Sequence, residues 1–153
     1  MIIFTNSLVN ILLWKPIKKN LIQDTNLSIL IPARNEEANI EKCINSIDFS
    51  NALIKEVIVL DDGSKDNTWE ILKKMSSSVV KLNVVKGKKK PEGWSGKSFA
   101  CYQLSKYASS DWMLFIDADT ELEKDGIDKI IGYAQNNNYS MVSAWPKIEM
   151  KGI

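Results

Sequence analysis

The chain has 153 residues, with 20 basic against 19 acidic side chains and no histidine. That length supports one domain with its own core and is too short for two ordinary ones. The near-neutral balance excludes a global field for nucleic acid, and the missing imidazole excludes histidine triads, histidine bases and histidine-held zinc.

Residues 1–14 are apolar apart from Thr5, Asn6, Ser7 and Asn10. This stretch is too short and interrupted for a spanning helix, which needs roughly 20 apolar residues, and it lacks the basic start of a signal peptide. Phe4, Leu8, Ile11 and Leu12 recur at helical spacing just before Lys15, Lys18 and Lys19. The pattern fits either an interfacial helix (or the stump of an anchor) facing the cytoplasm, or a helix packed on its own domain. Residues 1–20 are therefore set apart from a single domain over 21–153.

Beyond this, short β-rich runs at 27–33, 56–60, 79–85, 112–116 and 139–145 alternate with helical patterns at 37–47, 67–75, 97–107 and 124–134. Apolar strands alternating with amphipathic helices predict an α/β fold, a mostly parallel sheet with helices on both faces. Ligands then bind beyond the carboxyl ends of the strands. Cys43 and Cys101 fall in separate predicted helices without metal-ligand spacing and are expected to be reduced, as in a cytoplasmic protein.

The polar clusters follow strands. After the first comes Pro32-Ala33-Arg34-Asn35-Glu36-Glu37. Asn35 is a candidate N-cap and the glutamates suit a helix start, while Pro32 and Ala33 leave close access for a flat ligand such as a base. After the second comes Asp61-Asp62-Gly63-Ser64-Lys65-Asp66. Gly63 suits a tight turn, and Ser64 or Asp66 suits a helix cap. Capping leaves the paired aspartates unexplained, so Asp61 and Asp62 are candidates for nucleotide binding, Asp62 the better placed to accept from a base N–H.

The run Lys86-Gly87-Lys88-Lys89-Lys90 reads first as a solvated loop. Gly93-Trp94-Ser95-Gly96-Lys97-Ser98 is not a phosphate-cradling P-loop, because Pro91 stands where its opening glycine belongs. It is a small-residue loop opening a helix. Lys97 in the first turn opposes the helix dipole, so it is either an exposed lysine or one facing an anion such as a diphosphate. After the apolar run Met113–Ile116 come Asp117-Ala118-Asp119-Thr120. Like charges two residues apart are held together profitably around a hard cation, Mn²⁺ or Mg²⁺; the alternative is a polar turn.

Taken in order, Ser28–Glu37, Val57–Ser64, Trp94–Lys97 and Leu114–Thr120 resemble glycosyltransferase family 2, with its GT-A, Rossmann-like nucleotide-diphospho-sugar fold. The Trp94-Ser95-Gly96-Lys97 element is similar to the subgroup of bacterial carotenoid and lipid glycosyltransferases. The resemblance implies that 21–153 is a nucleotide-sugar-binding domain and that the enzyme transfers a sugar, with inversion, from a nucleoside-diphosphate sugar (a UDP-sugar) to an acceptor hydroxyl. Pro32, Ala33, Asn35 and Glu36 would line the nucleotide pocket, and Asp62 would read uracil. Lys97 would lie near the diphosphate, Asp117 would contact ribose or metal-bound diphosphate, and Asp119, with Asp117, would ligate Mn²⁺ or Mg²⁺.

The family's general base comes from a later segment, so the chain is expected to be truncated, a donor-binding part with no catalytic base of its own. Glu121, Asp125 and Glu149 stand in no general-base context. Expected partners are the UDP-sugar, an acceptor of lipid character, the cytoplasmic face of a membrane and a second copy of the chain. Two other classes stay open: a sugar nucleotidyltransferase, which typically carries a glycine-rich loop after the first strand, and an inactive nucleotide-binding scaffold.

Overall fold

A computed structural model describes Ile22 and residues 24–144. The interfacial helix expected within 1–20, and Trp145 and Glu149, lie outside the described residues. The described part divides into two compact units, 24–124 and 125–144.

The first unit carries β1 (Leu27–Ala33), α1 (Ile40–Asn45), β2 (Ile54–Asp61), α2 (Thr68–Ser76), β3 (Leu82–Lys86), α3 (Gly96–Tyr107) and β4 (Trp112–Phe115). The strands form one parallel sheet in the order β3-β2-β1-β4. The order reverses across β1, because the chain steps outward through β2 and β3 and then returns to β1's other edge. That reversal opens a crevice at the carboxyl ends of β1 and β4.

Strand β1 reads Leu-Ser-Ile-Leu-Ile-Pro-Ala, and its apolar side chains are buried except the half-buried Pro32. A strand paired on both edges and covered on both faces has no use for the polar alternation of a half-exposed strand. Leu30, Ile58 and Leu60 meet Ala100 and Leu104 of α3 on one face, with Val85 and Ala108 packed alongside. Alternation turns Ile29, Ile31, Val57 and Val59 to the other face, where each is fully buried.

The amino-terminal ends of the strands are tied by one carboxylate. Oε1 of Glu56 accepts from the Ser28 hydroxyl at 2.7 Å, and from the Ser109 amide and hydroxyl at 2.9 and 2.8 Å. It joins β1, β2 and the turn leading into β4.

Three expectations change. Strand β3 begins at Leu82 instead of 79, because Val79 still donates to the Met75 carbonyl and Val80 is fully exposed. Helix α1 begins at Ile40 instead of 37, with 37–39 in turns. The strand expected over 139–145 does not form within 139–144: the backbone joins no ladder, and Met141 stays 87% exposed. A β-rich run that pairs with no strand gains no ladder to hold it extended. In the second unit, α4 (Gly126–Asn136) buries Ile127, Ile131 and Ala134, and Tyr133 packs on Tyr139 with centroids 5.9 Å apart.

Glu56 gives the fold a pH dependence. Burial alone would raise its pKa, but the hydrogen bonds from Ser28 and Ser109 outweigh burial and hold it below the ordinary 4.5. Its stabilising effect is therefore complete above that value and lost as pH falls through the lower folded-state value. Urea unfolding across the acid range is expected to show this loss, and Glu56→Gln is expected to flatten it.

Candidate functional site

Two backbone hydrogen bonds to β1 set the site. The Ala33 carbonyl accepts from the Asp62 amide at 2.8 Å, and the Leu30 carbonyl accepts from the Ile116 amide at 3.1 Å. The chains leaving β2 and β4 are thereby fixed on either side of the tip of β1. Between them lies an open cleft of about 270 Å³, lined by Pro32, Ala33, Arg34, Glu36, Asp62, Gly96, Lys97, Ala100, Asp117, Ala118 and Asp119. Seven of the nine sequence-derived site residues are on this wall: Pro32, Ala33, Glu36, Asp62, Lys97, Asp117 and Asp119.

The other two build the walls. Asn35 is not the N-cap of α1; it adopts φ +57°, and its side-chain oxygen accepts from the Lys65 amide at 2.8 Å. Asn tolerates that left-handed backbone better than most side chains. Asp61 is 3% exposed, and its Oδ1 accepts from the Ser64 amide at 3.2 Å, closing the turn at the end of β2.

Asn35 belongs to a larger staple between the loops after β1 and β2. The amides of Asn35, Glu36 and Glu37 donate to Ser64 Oγ, Thr68 Oγ1 and Asp66 Oδ2 at 2.9, 2.8 and 3.1 Å. In return the Lys65 amide donates to Asn35, and the Asn67 amide and carboxamide both donate to Glu37 Oε2 at 2.9 Å. Helix α2 is thus capped partly from another loop, and Asp66 holds Thr68 by its amide and hydroxyl.

Opposite charges are arranged across the cleft. Arg34 Nη1 lies 3.6 Å from Asp62 Oδ2, and a Cβ on Gly96 would come within 3.3 Å of that same oxygen. Gly96 thus leaves room for the Asp62 carboxylate. Ser95 caps α3, its Oγ accepting from the Ser98 amide at 3.1 Å. Lys97 Nζ then reaches Asp117 Oδ1 at 2.7 Å, and this hydrogen bond raises the lysine's pKa. The cleft-facing lysine expected from α3 therefore meets a carboxylate of the Asp117-Ala118-Asp119 turn.

Beneath that turn, the Cys43 thiol points to the Asp117 carbonyl at 3.7 Å. Burial, and then the charges of Asp119, Glu121, Glu36 and Asp117, push it up to about 12. Among the described residues, no group of three or more carboxylate or thiol side chains converges as a ready metal cage. Of the general-base candidates, Glu121 stands near Cys43 and Asp125 begins α4 in the second unit. Sequence reading missed the pairing of Arg34 with Asp62 and the steric role of Gly96; neither follows from local spacing.

A model of the family described as Glycosyl transferase family 2 matches residues 28–151. The 4,4'-diaponeurosporenoate glycosyltransferase of Staphylococcus haemolyticus is 36% identical over 123 residues, covering 79% of this chain and 32% of that protein. TarS of S. aureus, solved in complex with UDP-GlcNAc, is 26% identical at a TM-score of 0.57, with 74% of this chain and 32% of that one covered. Glucosyl-3-phosphoglycerate synthase of Mycobacterium tuberculosis, solved with Mn²⁺, UDP and glucosyl-3-phosphoglycerate, is 32% identical at a TM-score of 0.50 over 63% of this chain and 36% of that one. The chain spans about a third of the length of the curated relative it matches.

The staple can be tested apart from any ligand. Asn35→Ala is expected to lower unfolding free energy by about 1–3 kcal/mol, since it loses a hydrogen bond and puts an unfavourable residue in the left-handed region. Asn35→Gly, which keeps the backbone geometry, is expected to lose less in the same urea titration. In native protein, Cys101 is expected to react with iodoacetamide well before the buried, high-pKa Cys43, as mass spectrometry of the labelled peptides would show.

Proposed function

The chain belongs to glycosyl transferase family 2, and from that premise we propose that its cleft binds a UDP-sugar together with Mn²⁺ or Mg²⁺, as the donor side of an inverting sugar transfer. The observation that carries this reading is the convergence on one cleft of Glu36, Asp62, Asp117 and Asp119 from three strand ends and of Lys97 from the first turn of α3. The neighbours solved with UDP-GlcNAc and with UDP and Mn²⁺ support it.

Each residue has a task that its position suits. Pro32 and Ala33 form a flat, small-residue floor for a base. Asp62, anchored through its amide to β1, offers a carboxylate to a uracil N–H, and Arg34 lies beside that carboxylate at 3.6 Å. Glu36, on the cleft wall, would meet the ribose. Lys97 supplies the positive charge for a diphosphate.

The donor set suits a hard divalent ion. Asp117 and Asp119 present oxygen atoms from one exposed turn, and such ions are commonly held by one or two carboxylates plus substrate phosphates instead of a complete protein cage. Asp119 and Asp117 would hold it, and when bound it supplies neutralisation of the charge that develops on the departing diphosphate. Lys97 exchanges Asp117 for the diphosphate when donor arrives, so its side chain remains paired in both states. The acceptor belongs to the same proposal: the relative named for 4,4'-diaponeurosporenoate supports a lipid-like acceptor, and the cytoplasmic face of a membrane is where the enzyme would meet it.

Calorimetric titration of UDP, with and without Mn²⁺, tests the donor site. Binding is expected to tighten at least several-fold with metal. Asp119→Ala is expected to abolish that gain, and Asp62→Ala to weaken UDP by roughly tenfold, the loss of one charge-assisted hydrogen bond. Folded protein that binds no nucleoside diphosphate under either condition would sink the reading.

A further inference from the structure

The loop from Lys86 to Trp94 and the outer face of α3 serve none of these tasks. The loop carries four lysines, Lys86, Lys88, Lys89 and Lys90, against one acid, Glu92. All five side chains are exposed, and none of the ion pairs among the described residues engages a lysine of this run. The loop is nevertheless not a free flap. The Lys88 amide donates to Gln103 Oε1 at 2.7 Å, and Lys86 Nζ sits 4.6 Å over the Trp69 ring. At its far end Gly93 takes φ +83°, and the turn returns Trp94 onto α3.

There Trp94 meets Phe99 and Tyr102, with ring centroids 5.5 and 5.2 Å away. Lys106 stands over Tyr102 at 5.2 Å. Phe99, Tyr102, Gln103 and Lys106 follow the spacing of a single helical stripe. Lys97, Ala100 and Leu104 occupy a different stripe, turned to the cleft and the sheet. Trp94 and Tyr102 remain 40% and 46% exposed. Exposed indole and phenol rings beside lysines that form no ion pair among the described residues match the two requirements of a lipid interface: amphipathic rings at headgroup depth and cations facing anionic headgroups.

We propose that the Lys86–Trp94 loop and the Trp94–Tyr102–Lys106 face of α3 form a docking surface for an anionic lipid bilayer. This surface is built from residues other than those of the apolar N-terminal sequence and does not depend on the donor reading. Because α3 carries the docking stripe and the cleft stripe on one rigid helix, docking would hold the cleft beside the membrane surface.

Co-sedimentation of the full chain with vesicles tests this. Binding is expected to vesicles of mixed phosphatidylcholine and phosphatidylglycerol, to fall as sodium chloride is raised, and to be weak on phosphatidylcholine alone. Replacing three lysines (K88E/K89E/K90E) is expected to reduce the partition coefficient by roughly 100-fold or more, and Trp94→Ala by several-fold, with far-UV circular dichroism unchanged. Should Trp94→Ala disturb the fold, Lys89→Glu alone still reads the surface through a several-fold loss. Unchanged binding of the triple variant would overturn the proposal and assign contact to the N-terminal segment. Loss with the lysines but none with a folded Trp94→Ala would also overturn it, in favour of a soluble polyanion. Absence of vesicle binding by the parent chain would overturn it outright.

Discussion

Strand β1 is paired along both edges, and the positions of the acidic side chains in the cleft follow from where its neighbours stop. β2 accompanies it to Ala33, whereas β4 leaves it at Leu30. The stagger is what makes a crevice: one wall continues upward while the other falls away. Asp62 is held at the tall wall by the Ala33 carbonyl, and the turn bearing Asp117 and Asp119 follows the low wall past Ile116. Neither position requires a special loop. Each is the first place where a chain that has satisfied its backbone in the sheet can carry charge next to β1.

The cross-loop staple turns that placement into a rigid wall. Asn35, Glu37, Ser64, Asp66 and Thr68 spend their polar groups on one another and on backbone amides, so the loop after β1 is ordered by the loop after β2. Neighbouring polar residues consequently divide their labour. Glu36 lines the cleft while Glu37 caps α2, and Asp62 lines it while Asp61 closes a buried turn. A ligand entering such a site meets side chains already positioned, so less ordering is charged against binding.

This division explains what was and was not legible in the sequence. The run 27–33 coincides with β1 because a buried strand leaves an apolar record, broken here only by Ser28, whereas 79–85 was displaced because Val79 and Val80 have β propensity but finish a helical turn. The cleft was legible wherever a carboxylate follows an apolar strand, as at Asp62, Asp117 and Asp119. Asn35 and Asp61 have the same composition and the same address, and only hydrogen bonds to partners elsewhere decide their role. For Asn35 the partner lies 30 residues away, a separation that no local periodicity encodes. The failed strand at 139–144 makes the complementary point, since strand propensity records a preference and the pairing edge is supplied by tertiary structure.

Helix α3 brings these arguments together, because each of its stripes answers a different neighbour. Ala100 and Leu104 are apolar where the sheet is apolar, and Gly96 is small where the Asp62 carboxylate needs room. Lys97 is basic where Asp117 is acidic, and Tyr102 and Lys106 face away with the lysine-rich loop while the buried Phe99 packs edge-on against Trp94. That loop's attachment to Gln103 gives the outer stripe its fixed aromatic and basic neighbours. A helix so divided shows little overall amphipathic character, since its polar and apolar residues are distributed among several partners instead of between one core and water. Weak periodicity in α3 is therefore the mark of a helix with several jobs, and the charge on each stripe tells more about its neighbour than the helix's mean hydropathy does.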